Sequence, residues 1–256
     1  MSRFLVGATW DDAPHLTPVA KKELWDSILP YQRDARAKGI PQLGAGAIFP
    51  VAESDLRIRD FPIPDHWKRG YAMDCGGGAK PTAAVFGAFD PDSQVLYITG
   101  VYKRSSAEPA VHLAAIKERM GLGAGGWNWP GVGDAAALIL TDEDAEQLVN
   151  VYRRGGLDLN LPDKAVETAI AQVWDLMTKQ RLRVFSSCVA WWEEFRMYQR
   201  DKHGRIRKQN DHLMDSTRYL VRSGIARMKV RPVEVTESRV FTVHEGAAMS
   251  QGWLGN

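Results

Sequence analysis

Acidic side chains occur at three places in the chain where structure alone does not favour them. Asp74 closes the apolar segment GYAMD, and Asp134 closes the short segment VGD. Asp211, His212 and Asp215 open the segment NDHLMDSTRYLVR, and their spacing predicts that they share one side of a helix. Carboxylate oxygens suit hard cations such as Mg²⁺ or Mn²⁺. Two such ions, about 3.5–4 Å apart, can activate a water and stabilise the leaving oxygen in phosphodiester cleavage.

Each of these residues also has a purely structural interpretation. Asp74 can cap the turn that follows it, Asp134 can cap a helix that begins at AAAL, and Asp211 can cap the final helix. A single histidine such as His212 is more often a surface or core residue than a ligand. Together they favour a site, because a carboxylate that closes a buried strand is costly unless it is paired or binds a cation.

The glycine-rich segment CGGGAKPT, which follows Asp74, is not a phosphate-binding loop. Such a loop ends in Gly-Lys-Ser/Thr and runs directly into a helix, whose first N–H groups hold the anion. Here no glycine precedes Lys80, and Pro81 follows it. The apolar run TAAVFGAF that comes next reads as a strand, so the segment predicts the turn of a β-hairpin. A nucleotide-binding fold is therefore the weakest of the functional interpretations.

The elements that must position the acids alternate between strands and helices. Hydrophobic periodicity and turn residues predict the following order: strands at 71–75, 82–89 and 94–104, a helix at 107–121, a strand ending at 134, a helix at 161–182, a strand at 181–185, a helix at 188–199, a basic hairpin turning near Gly204, and a final helix capped by Asn210. Three consecutive strands followed by alternating helices and strands predict an α/β fold with a mixed central sheet.

The two ends of the chain differ from this central part, residues 67–225. Residues 1–66 predict an N-terminal arm, with one helix that begins at Thr17 and Pro18 and ends at Gly39, followed by an extended Pro- and Gly-rich stretch. Residues 226–256 predict a C-terminal extension that adds an edge strand or stays partly disordered. We expect the arm to be an appendage of one domain and not a second domain.

Composition narrows the class of protein. The chain has 256 residues, of which 45% are hydrophobic and 25% charged, as in an ordinary globular protein. Its two cysteines, Cys75 and Cys188, give neither a disulfide framework nor zinc spacing. No segment predicts a membrane span or a signal peptide, so we expect a cytoplasmic protein. Between Arg200 and Arg231, ten Lys and Arg residues face three Asp, which predicts a cationic surface for a polyanion or a solvated basic face.

Three segments together resemble a known family. They are YAMDCGGGAKPTAAVFGAFDPDSQVLYITGVY, GVGDAAAL and YQRDKHGRIRKQNDHLMDSTRYL, and they are similar to the C-terminal nuclease of tailed-phage and prophage large terminases. The upstream segment from ATWDD to GAIFPV resembles the part that joins the packaging ATPase to that nuclease. The resemblance covers about residues 8–223, and its most specific piece is Asn-Asp-His-x-x-Asp-x-x-Arg-Tyr.

The resemblance implies a ribonuclease-H-like fold with metal-binding acids on the first strand, the fourth strand and the last helix. These places fall on Asp74, on Asp134 and on the cluster Asp211, His212 and Asp215. The family uses Asp or His at the third place, so the choice within that cluster stays open, with His212 and Asp215 favoured as the ligands. The basic hairpin, with Lys80, implies contacts to DNA phosphates through Lys202, Arg205, Arg207 and Lys208.

The function implied is a Mg²⁺- or Mn²⁺-dependent endonuclease, with two ions, that cuts concatemeric double-stranded viral DNA in the host cytoplasm. The portal protein, the small terminase subunit and the packaging ATPase domain are the implied partners. No Walker motif is present, so we expect no ATP hydrolysis, whether the chain is part of a longer polypeptide or a stand-alone product. The alternatives are a DNA-gripping docking module with little activity alone, and another ribonuclease-H-like enzyme, such as a junction resolvase or a hybrid nuclease.

Overall fold

A seven-stranded mixed sheet forms the centre of the computed structural model, which describes residues 9–28, 37, 46–76, 80–122, 124–134, 142–201 and 203–232. For residues 142–147 it describes the backbone alone. The strands are β1 (Arg57–Ile58), β2 (Lys68–Asp74), β3 (Thr82–Asp90), β4 (Val95–Arg104), β5 (Gly131–Asp134), β6 (Leu159–Asn160) and β7 (Leu182–Phe185). Their order across the sheet is β1-β7-β4-β3-β2-β5-β6. The predicted mixed sheet is confirmed.

Strands β2, β3 and β4 form an antiparallel meander, as the turn residues predict. The Gly-rich turn joins β2 to β3, and its residues 77–79 lie outside the described part. At its margins the hydroxyl of Thr82 donates a hydrogen bond to the carbonyl of Gly76 at 3.0 Å. The second turn, around Asp90, is closed by a hydrogen bond from the Ser93 hydroxyl to the Asp90 carboxylate at 2.5 Å. Lys80 thus follows a hairpin turn, and not a phosphate-binding loop.

The remaining strands extend this meander by parallel pairing. β5 pairs with β2, β6 with β5, β7 with β4, and β1 with β7. Parallel neighbours need a crossover connection, which helices normally supply. Here a helix lies between β4 and β5 in the chain, and others separate β5, β6 and β7. As a result, β2 and β5, which are far apart in sequence, end side by side.

The helices are α1 (Pro18–Ser27), α2 (Glu53–Leu56), α3 (Pro109–Arg119), α4 (Asp142–Arg154), α5 (Val166–Thr178), α6 (Val189–Met197) and α7 (His212–Tyr219). α1 begins as predicted, with Thr17 accepting a hydrogen bond from the N–H of Ala20. The prediction that this helix continues to Gly39 is wrong, because α1 ends at Ser27 and Ile28 takes an extended backbone. After α7 the chain continues as a π-helical turn, Leu220–Gly224, and a 3₁₀ turn, Ile225–Arg227. No described helix has the length and the apolar character that crossing a bilayer would require.

The prediction that Asn210 caps the final helix is wrong. The helix begins at His212 with Asp211 in the N-cap position, and the Asp211 side chain makes no capping hydrogen bond. Asn210 instead has a left-handed backbone with a φ of 54°, which places it in the turn before the helix. Asn tolerates that conformation better than most residues, so Asn210 serves the turn.

Apolar side chains fill both faces of the sheet, because β2 and β3 alternate between two buried surfaces. Ala72 and Val85 pack on one face with α5, α6 and α7, and Tyr71 and Phe86 pack on the other with α3 and α4. By the same alternation, Asp74 points to the face covered by α7. The α7 face therefore carries the first of the predicted acids.

Part of the predicted N-terminal arm packs into this core. Ile48, Phe49 and Leu56 are buried, and β1 adds an edge strand beside β7. At the other end, Lys229 pairs with Arg69 at the start of β2, and residues 233–256 lie outside the described part. The predicted domain boundaries at residues 66 and 225 stay predictions. Residues on both sides of the first boundary pack against the same sheet.

Candidate active site

Asp74 and Asp134 lie side by side at the ends of two parallel strands. Their Cα atoms are register partners in the pairing of β2 with β5, and the N–H of Cys75 donates to the carbonyl of Asp134 at 2.7 Å. Register partners point to the same face of a sheet. The two residues are only 6% and 4% exposed. The fold thus brings together two buried carboxylates that are 60 residues apart in the sequence.

Helix α7 covers these strand ends and contacts both carboxylates. The Nδ1 atom of His212 lies 2.8 Å from Oδ2 of Asp74, and the hydroxyl of Tyr219 donates to Oδ2 of Asp134 at 3.1 Å. Leu213 and Met214 are fully buried on the core side and fix the rotation of the helix about its axis. His212 at the first turn and Tyr219 at the last turn therefore hold the helix across the two strands.

Asp215 and Asp211 add two more buried acids to the same region. Asp215 forms an ion pair with the guanidinium of Arg218, which is itself buried. The ammonium group of Lys208 lies 3.2 Å from Asp211 and 3.3 Å from Asp215. Buried acids of this kind are tolerated only when cations or hydrogen-bond donors compensate them. Arg218 and Lys208 provide that compensation.

These residues line one cleft of about 400 Å³. Its walls are formed by Asp74, Lys80, Asp134, Lys208, Asp211, His212, Asp215 and Tyr219. All five predicted acid or histidine positions therefore share the cleft, together with two of the five predicted DNA-binding residues. Lys164, from the segment before α5, is not part of this lining, but its ammonium group lies 3.2 Å from Oδ1 of Asp134.

The pKa values follow from this crowding of charge. Burial raises the pKa of Asp74, and the charges of Asp215 and Asp134 act in the same direction, whereas the hydrogen bond from His212 opposes them. That hydrogen bond raises the pKa of His212, against the effect of burial. Burial lowers the pKa of Lys208, but Asp215 and Asp211 outweigh it and raise the pKa overall. The cleft therefore favours cations and disfavours additional negative charge.

The donor set fits a hard cation in its chemistry. Carboxylate oxygens dominate, and the buried thiol of Cys75 has a pKa raised well above its usual value by burial, so it offers no thiolate. Within the described part of the chain, no three His, Cys, Asp or Glu side chains are arranged to share one ion as they stand. The ammonium groups of Lys164 and Lys208 lie against the carboxylates, and both side chains are mostly exposed, at 62% and 67%. Such side chains can swing away at little cost.

The basic hairpin has the predicted turn. Arg200 pairs with Ile206, the N–H of Asp201 donates to the carbonyl of Arg205, and Gly204 takes a positive φ of 76° at the tip. Arg205 and Arg207 are exposed, which leaves them open to a ligand. Lys202 lies outside the described residues. Lys208 points into the cleft, toward Asp211 and Asp215, and its predicted contact with phosphate stays a prediction.

Sequence reasoning missed four residues that shape the cleft. Tyr219 and Arg218 are part of the motif that carried the resemblance, but nothing in their spacing assigned them to Asp134 and Asp215. Lys164 precedes a helix and resembles any surface lysine. Glu194 lies within an amphipathic helix, and its burial against the start of α7 depends on how α6 and α7 pack. The roles of all four residues depend on how the elements pack in the folded protein, which the local sequence pattern does not show.

Comparison with known proteins identifies the family. The family model described as "Terminase RNaseH-like domain" matches residues 71–223. The terminase large subunits of Salmonella phage P22 and Enterobacteria phage LP7 are each 34% identical over 226 residues, which is 85% of this chain. The chain spans 44% and 46% of their lengths, which is less than half.

A solved structure supports the same assignment. The P22 large terminase nuclease domain superposes with a TM-score of 0.64 at 30% identity, over 73% of this chain and 96% of that one. The mixed sheet flanked by helices is thus of the ribonuclease-H-like type, as the resemblance implied. By sequence and by fold, this chain belongs to the family of terminase RNaseH-like domains.

Proposed function

We propose that this chain is the nuclease portion of a genome-packaging terminase and cuts double-stranded DNA with the help of divalent metal ions. The observation that carries the proposal is the convergence of Asp74, Asp134 and Asp215 on one cleft, next to a basic hairpin. The similarity to the P22 nuclease domain supports the same activity. Because the relatives that match this chain are terminase large subunits, we extend the proposal to an ATPase part, a portal protein and a small subunit as partners, in the host cytoplasm.

Asp74 and Asp134 would hold Mg²⁺ or Mn²⁺, and Asp215 or His212 would complete the site, with Asp211 farther out. Two bound ions would supply activation of a water and neutralisation of the leaving oxygen. His212 orients Asp74 through its Nδ1 contact, and Tyr219 orients Asp134 through its hydroxyl. Arg218 fixes one oxygen of Asp215 and leaves the other for the contact with Lys208. The protein thus presents its carboxylates in defined orientations.

DNA would lie across the cleft with its backbone against the hairpin. Arg205 and Arg207 are exposed at the hairpin, and Lys80 stands at the rim of the cleft. Contacts from these side chains, and from Lys202, would place a phosphodiester over the carboxylates without reading base sequence. We therefore expect cleavage with little sequence preference, and faster cleavage of linear duplex than of a four-way junction or an RNA–DNA hybrid.

The test is nicking of supercoiled plasmid with Mn²⁺. The substitution Asp74→Asn removes a charge but keeps the shape of the side chain, so we expect it to abolish nicking while the thermal unfolding midpoint in EDTA stays close to that of the wild type. Asp90→Asn is the matched control, because Asp90 closes β3 at the opposite end of the sheet. It should cut normally. Undiminished nicking by Asp74→Asn would contradict the mechanism.

A docking and DNA-gripping role with little activity of its own is the second candidate. The exposed basic hairpin favours it, because phosphate contacts by Arg205 and Arg207 need no metal. Retention of duplex DNA in EDTA and co-sedimentation with portal protein, combined with no nicking by the wild-type chain in Mn²⁺, would support this role. Mn²⁺-dependent nicking that Asp74→Asn abolishes would reject it.

A further inference from the structure

A buried ion pair on the core side of α7 lies outside the cleft lining. Glu194, on α6, is only 2% exposed, and its Oε1 atom lies 2.6 Å from the ammonium group of Lys103 on β4. Its Oε2 atom accepts hydrogen bonds from the N–H groups of Leu213 and Met214, at 2.7 and 3.4 Å. A buried carboxylate needs several such partners. Here the partners come from two elements, β4 and α7, and Glu194 on α6 joins them.

The Glu194 carboxylate caps the N-terminus of α7. The first N–H groups of a helix have no partner within it, and a side chain at the N-cap position normally supplies one. Asp211 occupies that position but makes no side-chain capping bond. Glu194 replaces it from another helix, and its charge is favourable at the positive end of the helix dipole.

Lys103 ties this cap to the strands that carry the acids. Asp134 is the register partner of Asp74, Asp74 of Ala83, and Ala83 of Lys103, so these residues form one row across four neighbouring strands. Residues in such a row point to the same face of the sheet. α7 touches the row at several points, including a hydrogen bond from the Ser216 hydroxyl to the carbonyl of Ala83 at 3.3 Å. The row thus carries Asp134 and Asp74 at one end and, at the other end, Lys103, which pairs with Glu194.

We propose that Lys103 and Glu194 form a clamp that positions the first turn of α7 over Asp74 and Asp134. The first turn carries His212 and Asp215, so the clamp sets where these two side chains stand relative to the strand-end acids. Glu194 and Lys103 are positioning residues, since neither lines the cleft. Their role in metal binding rests on the proposed function, whereas their effect on the helix does not.

The test compares two buried glutamates in the full chain. Glu53, on α2, is buried and paired with Arg57 and Arg196, away from the described contacts of α7. Glu194→Ala should raise amide hydrogen exchange at residues 213 and 214 about tenfold, because it removes a cap. It should also raise the dissociation constant for Mn²⁺, measured by calorimetry, about tenfold. Glu53→Ala should change neither, although both variants lose thermal stability.

A rescue variant separates the cap from general destabilisation. In Lys103→Met/Glu194→Gln, the amide oxygen still accepts from the helix N–H groups and no charge is left unpaired. Exchange and Mn²⁺ affinity should return to within about threefold of the wild type, since a neutral acceptor is weaker than a charged one. Unchanged exchange at residues 213 and 214 in Glu194→Ala would overturn the clamp, as would an equal loss of Mn²⁺ affinity in Glu53→Ala.

Failure of the proposed function has a different signature. If the wild-type chain shows no affinity for Mn²⁺, the metal-dependent nuclease is rejected, and the exchange measurements alone decide whether Glu194 holds the helix. If wild-type affinity is present and Glu194→Ala keeps it despite faster exchange, the clamp has no role at the site and the positioning proposal is rejected.

Discussion

Asp134 receives its partners from two directions. Tyr219 donates to one oxygen from the last turn of α7, and Lys164 lies against the other from the segment before α5. The buried Tyr219 hydroxyl limits rotation of the carboxylate, whereas the exposed Lys164 side chain can swing away and leave the other oxygen to a cation. The tyrosine is buried, and burial with the nearby charges of Asp134 and Asp215 raises its pKa, so it stays a donor throughout the ordinary pH range.

Removal of the Tyr219 hydroxyl should therefore weaken metal binding. We expect Tyr219→Phe to lower Mn²⁺ affinity about tenfold, and the free energy of unfolding in EDTA by about 1–3 kcal/mol, because a buried charged acceptor loses a donor. Calorimetry and urea unfolding provide the two measurements.

The matched control for this variant is Tyr71→Phe. Tyr71 is also buried, but it lies on the opposite face of the sheet, and its hydroxyl donates to the carbonyl of Asp158 at 3.4 Å. It should bind Mn²⁺ like the wild type. Equal losses of affinity in both variants would show that the Tyr219 hydroxyl has no specific effect on Asp134.

From the sequence, the acidic residues of the cleft could be selected, but the side chains that contact them could not. Asp74 and Asp134 could be selected because a carboxylate that closes an apolar strand is unusual in itself. Arg218 and Glu194 could not, because a charged residue inside a helical pattern is normally on the surface. Both are buried because α7 is enclosed by the sheet and by α6. Metal binding by Asp74, by Asp134 and by one of Asp211, His212 and Asp215 stays a prediction.

Strand β5 is the element on which the position of Asp134 depends. It has four residues, and its first, Gly131, is the register partner of Tyr71 on β2. A Cβ atom at Gly131 would lie 2.3 Å from the ring of Tyr71, which is fully buried. The strand can approach β2 this closely only without a side chain at that point. A glycine is needed here because a side chain would collide with Tyr71, and not because the backbone takes a left-handed conformation.

Gly131→Ala should accordingly push β5 away from β2. We expect a loss of about 1–3 kcal/mol in the free energy of unfolding, which is typical of an overfilled core, together with weaker Mn²⁺ binding because Asp134 moves with the strand. Gly100→Ala on β4 is the control, since its new methyl group would have no neighbour closer than 3.9 Å. Urea unfolding of both variants in EDTA measures the first effect. Wild-type stability in Gly131→Ala would show that β2 and β5 adjust without cost.

Helices and strands were predicted correctly where the hydrophobic pattern extends over enough residues to show its period. The meander, α5 and α6 all have clear patterns, and their existence and type are confirmed. β1 and β6 have two residues each, too few for a period to show, and they are strands only because a longer strand pairs with them. α2 lies in a Pro- and Gly-rich stretch that reads as extended, and its four residues depend on burial of Leu56.

The whole molecule has a net charge of only +2, but the charge is unevenly spread. The cleft gathers acids, and the adjoining hairpin presents Arg205 and Arg207 to solvent. A polyanion would be drawn to the hairpin and repelled by the bare acids unless cations neutralise them. For the proposed DNA binding, we therefore expect sensitivity to salt, and we expect productive binding to depend on metal.

The salt dependence of binding tests the phosphate contacts that we propose for the hairpin. In EDTA, Arg205→Ala/Arg207→Ala should reduce the slope of log affinity against log salt by about two, with the same loss for unrelated duplex sequences. Fluorescence anisotropy with a short duplex measures the slope. The control, Lys22→Ala/Lys179→Ala, removes equal charge from exposed sites outside the hairpin. An equal change of slope in both double variants would mean that the hairpin has no special part in binding.

The row that joins Asp134, Asp74, Ala83 and Lys103 has an evolutionary consequence. Within these strands an insertion or deletion of one residue would turn every following side chain to the other face and dismantle the cleft. The connecting loops lie outside the row, so their lengths can drift among relatives while the two aspartates keep their spacing. Divergent members of this family should therefore differ most in the connections and least in strand length beside the two aspartates.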